Sequence, residues 1–143
     1  MFDISHLHPM SVHFAIALVL TGFLADVLSF IFKTEKNFLT KAGYWLQLLG
    51  MVAVIAAFCT GFFLTNEMEG EAGDLREKHE LFAKITLILI ILSTCLRILT
   101  VYLNKEETNL RYVFLGLLFL AVLGVGYTGF LGGALVYNFM IGL

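Results

Sequence analysis

The sequence predicts an all-α integral membrane protein, a four-helix bundle, and three observations lead there. Hydrophobic residues make up 59% of the 143 positions and charged residues only 14%. Mean hydropathy is +0.91, well outside the range of water-soluble domains. The charges are also clumped, so four stretches, roughly 9 to 32, 40 to 65, 80 to 103 and 112 to 133, are each long enough to cross a bilayer, which takes about 20 residues per helix. Short polar joints leave residues 1–143 as a single four-helix transmembrane domain with no room for a soluble module.

The first span opens with His8-Pro9-Met10-Ser11-Val12-His13-Phe14, after a lead-in that carries Asp3 and His6. Pro9 suits a first helical turn, where its missing N–H costs no hydrogen bond. No Lys or Arg precedes Lys33, so the basic region of a cleaved signal is missing and the span is expected to stay attached. Lys33, Glu35, Lys36 and Lys41 fill the first loop, and Asp26 lies within span one.

Span two begins with the interfacial rings Tyr44 and Trp45 and carries Gly50, Ala53, Ala57 and Gly61 at helical spacing. Such a stripe admits a neighbouring backbone or gives clearance to a flat cofactor. Residues 66 to 78 read as an acidic solvated loop ending at His79-Glu80. Span three holds Lys84 and Arg97, and span four becomes glycine-rich, with Gly132-Gly133 expected to end or kink it. Cys59 and Cys95 fall about 14 Å apart along the membrane normal, too far for a disulfide, and read as small core residues. With four spans and no visible repeat, a transporter would have to oligomerise.

Lys33, Lys36, Lys41, Arg97, Lys105 and Arg111 gather at loops one and three, against Arg76, Lys78 and Lys84 on the other side. The positive-inside rule then places loops one and three in the cytoplasm and both termini outside, and the expected location is the bacterial inner membrane with periplasmic termini. His6, His8, His13 and His79 consequently share the outer face.

Spans one and three run in the same direction. His8 and Asp26 are eighteen residues apart, as are His79 and Arg97. Eighteen residues is five helical turns, so each pair shares a face; if Asp26 meets Arg97 as a structural ion pair, His8 points towards His79. His13 is rotated by about 140° from His8 on an ideal helix. Because Pro9 precedes regular helix, His8 and His13 remain competing partners of His79.

Three readings follow from these imidazoles. The first is a b-type haem for electron transfer, held by His79 with His13 or His8, the porphyrin lying among the small residues of spans two and four. The second is a transition metal bound by His8, His13 and His79, joined by His6 and by Glu80 or Asp3. The third is a structural or accessory subunit without cofactor. No nucleophile motif, phosphate loop or metalloprotease signature points to a hydrolase or to nucleotide chemistry. The expected partners are the lipid bilayer and quinol or a periplasmic electron carrier, with a homo-oligomer or a larger complex as the setting; nothing points to nucleic acid.

The run His8-Pro9-Met10-x-Val12-His13-Phe14-x-Ile16-Ala17-Leu18, with Asp26, Thr60-Gly61, His79 and Gly132-Gly133-x-Leu135-Val136-Tyr137, resembles an uncharacterised family of small bacterial membrane proteins, domain of unknown function 2231. The resemblance covers nearly the whole chain and implies a four-helix membrane domain associated with redox modules, hence haem and electron transfer. The family commonly has Pro where Ala15 stands and a further His where Asn138-Phe139 stand, which argues against a second haem here.

Overall fold

The computed structural model describes residues 7–65, 68–105 and 108–139. These form four helices: α1 (Leu7–Ile31), α2 (Lys36–Leu64), α3 (Gly70–Tyr102) and α4 (Leu110–Phe139). Each is long and apolar enough to cross a membrane. They pack up-down-up-down, with α1 on α2 and α3 on α4 as two tight hairpins joined more sparsely through α2 with α3 and α1 with α4.

The bundle is apolar outside, and inside a set of polar side chains shares the space with an apolar core of Ala15, Val19, Val54, Ile90, Leu118 and Val125. Phe14, Phe62, Phe63, Trp45 and Phe130 all point outward, Phe63 with 75% of its surface open. The interior instead holds Asp26, Ser29, Gln47, Ser93, Thr94, Arg97 and Thr100 beside small aliphatic residues. Lipid tails solvate the outer rings as well as a protein core would, so helix association rests on close packing and interhelical hydrogen bonds rather than on apolar burial.

Three features differ from what the sequence suggests. The acidic stretch is helical from Gly70 onward: Gly70, at φ +65°, turns the chain into α3, which starts nine residues before His79. This conformation suits a residue without Cβ. Gly132-Gly133 neither ends nor kinks α4, which continues to Phe139. In lipid the helix is held by the need to satisfy every backbone N–H and C=O internally, and that need outweighs glycine's poor propensity. Cys59 and Cys95 are exposed on the bundle's outer surface rather than in its core, because thiols are at ease against hydrocarbon.

The fold also contains a repeat that periodicity does not reveal. Shifting α1–α2 by 71 positions lays it on α3–α4 without a gap, so that His8 falls on His79, Asp26 on Arg97, Val54 on Val125 and Gly61 on Gly132. The buried positions Ala15, Val19, Gly22, Asp26 and Ser29 of α1 land on the buried Thr86, Ile90, Ser93, Arg97 and Thr100 of α3. Gly43, Gln47, Gly50 and Val54 of α2 land likewise on Phe114, Leu118, Ala121 and Val125 of α4. The hairpins are two parallel copies of one unit, related by a pseudo-two-fold along the bundle axis.

Candidate functional site: a histidine pair on the pseudo-two-fold

Two side-chain pairs join α1 to α3 across this axis, one at each end. They are five turns apart on each helix, about 27 Å at 1.5 Å per residue, close to the thickness of the hydrocarbon core.

At one end His8 and His79 face each other with ring centroids 6.4 Å apart and planes at 85°. Each ring is fixed in the same way. His8 Nδ1 lies 3.0 Å from the Ala57 carbonyl oxygen, and His79 Nδ1 lies 3.0 Å from that of Thr128. A carbonyl only accepts, so both Nδ1 atoms carry the proton and both Nε2 atoms keep their lone pair. Ala57 and Thr128 are themselves repeat mates. Around His8, Thr60 Oγ1 is 3.2 Å from Nδ1, and Ser11 donates to the His8 carbonyl while lying 2.9 Å from Thr60 Oγ1.

Glycine makes room for each imidazole. A Cβ at Gly61 would come within 2.8 Å of His8 Cε1, and one at Gly132 within 3.2 Å of His79 Cε1. Gly50 meets Val19 of α1 in the same manner, and Gly124 meets Thr86 of α3. Gly50, Gly61, Gly124 and Gly132 therefore seat side chains of α1 and α3.

His13 does not join the pair. Its ring is exposed, and its Nδ1 donates to the Pro9 carbonyl one turn earlier, at 2.6 Å. The choice the sequence leaves open thus falls to His8 as the neighbour of His79. Glu80 pairs with Lys84 at 2.6 Å; Asp3 and His6 lie outside the described residues. Among the described residues no group of three or more His, Cys, Asp or Glu is placed to hold a metal ion. A bare zinc site takes three or four protein ligands, so the pair suits a group that brings most of its own donors.

At the other end Arg97 grips Asp26 through both nitrogens of its fork, Nη1 to Oδ2 at 2.5 Å and Nη2 to Oδ1 at 2.7 Å, each residue only 1% exposed. Nη1 also donates to Gln47 Oε1 and Nη2 to the Thr40 carbonyl. Gln47 Nε2 then donates to Ser93, which donates to the Phe114 carbonyl. Gly43 lets Asp26 in, since a Cβ there would lie 2.6 Å from Oδ1. Its repeat mate Phe114 covers the guanidinium, 5.0 Å from ring centroid to Arg97 Cζ. Gln47 and these hydroxyls were not candidates from sequence; the one signal was an amide alone in a long apolar run.

Four apolar helices around a polar interior define a polytopic helical membrane protein. The chain belongs to the family described as Predicted membrane protein (DUF2231), whose model matches residues 5–143. No curated protein and no solved structure matches it.

Proposed function

We propose that the protein is a b-type haem carrier for electron transfer, in which His8 and His79 would hold the haem iron at the seam between the hairpins. The observation that carries this reading is the matched anchoring of both rings: each Nδ1–H is held by a carbonyl of its own hairpin, which leaves two Nε2 lone pairs across the pseudo-two-fold. Such a second hydrogen bond fixes the tautomer and raises the basicity of a metal-ligating imidazole. The two rings lie 6.4 Å apart between centroids, so both imidazoles could hold one iron. A porphyrin supplies four donors of its own, and one or two protein ligands then hold the iron.

Bound haem would supply one-electron redox chemistry at a potential set by its axial ligands and their hydrogen bonds. With His8 and His79 both holding the iron, electron transfer would be favoured over oxygen binding. The Ala57 and Thr128 carbonyls hold the rings, and Thr60 and Ser11 brace His8. The excess of Lys and Arg at the opposite end supports an orientation with the histidines and both termini towards the periplasmic side of a bacterial inner membrane. Quinol or a periplasmic electron carrier is the partner class that such a position suits.

The test is a visible spectrum of the full chain purified in detergent from haem-replete cells, oxidised and then reduced with dithionite. A Soret band with sharpened bands on reduction is expected, lost in His8→Ala and in His79→Ala and retained in His13→Ala. A protein without a Soret band overturns the haem assignment.

A further inference from the structure

A second feature breaks the repeat at the opposite end of the bundle. Where α1 ends and α4 begins, a cavity of about 330 Å³ is lined by Ser29, Phe30, Lys33, Lys36, Arg111 and Tyr112, among others. Arg111 is only 6% exposed. Its Nη2 donates to Ser29 Oγ at 2.7 Å, and its Cζ lies 4.3 Å from the centroid of the Phe30 ring. Unlike Arg97, it has no carboxylate partner among the described residues.

A guanidinium removed from water needs an anion, and a hydroxyl and a ring face do not neutralise it. Lys33 lines the same space, and none of the described lining residues is an acid. The planar fork of arginine matches the oxygens of a phosphate. Phe30 and Tyr112 stack at 6.2 Å and are 42% and 64% exposed, as aromatic rings at headgroup level are. In the other copy of the unit, Thr40 stands for Arg111 and Asn104 for Lys33, so the arrangement occurs once per chain.

We propose that this cavity binds the phosphate of an anionic phospholipid, one per chain, with the acyl chains left in the bilayer against Phe30 and Tyr112. The volume lies at the low end of small-molecule sites, suited to a headgroup rather than a whole lipid. Basic pockets between membrane helices take anionic headgroups in this way.

Native mass spectrometry of the full chain released from mixed micelles, with phosphatidylglycerol or phosphatidylcholine as the probe, tests it. One phosphatidylglycerol per chain should be retained in preference to phosphatidylcholine. Lys33→Ala, at an exposed position, should cut that retention about fivefold, the weight of one basic residue near an anionic headgroup. Arg111→Gln should cut it further, and Arg111→Lys should keep most of it. Equal retention of the two lipids, or unchanged retention in Lys33→Ala, overturns the proposal. So does inorganic phosphate at millimolar concentration raising the unfolding temperature as much as phosphatidylglycerol does, since that assigns the cavity to a soluble anion.

Discussion

The two ends of the bundle are built at equivalent repeat positions and solve opposite problems. At the histidine end the mates are identical: His8 with His79, Gly61 with Gly132, and carbonyls at Ala57 and Thr128. At the charged end they are complementary: Asp26 with Arg97, Gly43 with Phe114, Gln47 with Leu118. Even there a trace of the common unit survives, because Ser29 donates to the Asp26 carbonyl as Thr100 donates to that of Arg97. Like residues on a two-fold present the same ring from both hairpins. Unlike residues on the same axis neutralise each other and lock the two hairpins in register.

If that division is right, the charged end tolerates interruption least. Asp26→Asn leaves Arg97 charged, buried and without its anion, and should destabilise the bundle by about 3–5 kcal/mol. Unfolding in mixed detergent micelles measures this. Asp26→Leu combined with Arg97→Leu should recover most of the loss, because no uncompensated charge remains. If the double variant is no more stable than the single, the pair contributes shape rather than charge balance.

The histidine end is set by space. Gly61→Ala places a methyl against His8 Cε1 at 2.8 Å, with the ring tied to α2 by its Nδ1 and unable to swing away freely. Overpacking of this kind costs about 1–3 kcal/mol. Gly132→Ala, with 3.2 Å to His79 Cε1, should cost less, and Gly133→Ala, with nothing within 4 Å, close to nothing. Thermal unfolding of the three variants should follow that order; a Gly133 variant as damaged as the Gly61 variant would mean that helix propensity, not the imidazole, governs this end.

Gln47→Leu sharpens the asymmetry further, since it installs the residue that the repeat mate Leu118 already has. The amide accepts from Arg97 and donates to Ser93, but both partners keep other bonds, Arg97 to Asp26 and Ser93 to the Phe114 carbonyl. Interhelical hydrogen bonds in membranes average about 0.6 kcal/mol and reach about 1.7. A loss in that range, smaller than that of Asp26→Asn, is expected in the same micelle titration.

How much of this was legible in the sequence follows from what each feature depends on. Four spans are visible because lipid demands long apolar runs, and the equal spacing of His8 to Asp26 and His79 to Arg97 already implies two co-directional faces. The repeat is hidden because core mates differ in identity: Phe114 stands at the position of Gly43, and Ile90 at that of Val19. The first turns of α3 are hidden because a solvated charged helix and a solvated charged loop share a composition. The cysteines mislead because a small apolar side chain is as stable against lipid as inside.

His13 separates the two roles that a histidine at this face can take. It stands in the same motif as His8 and one short step along the helix, and the sequence weighs the two equally. Among the described residues its hydrogen bond is local, to the Pro9 carbonyl, and its ring is exposed, so His13→Ala removes no hydrogen bond between helices there. A change within about ±0.5 kcal/mol is expected, together with an unaltered spectrum. His8→Ala, by contrast, empties the space that Gly61 keeps open and strips the Ala57 carbonyl of a donor, so it should lower stability even in protein that carries no haem. If the two alanine variants unfold alike, His8 is held no more firmly than His13, and the pairing with His79 does not organise the seam.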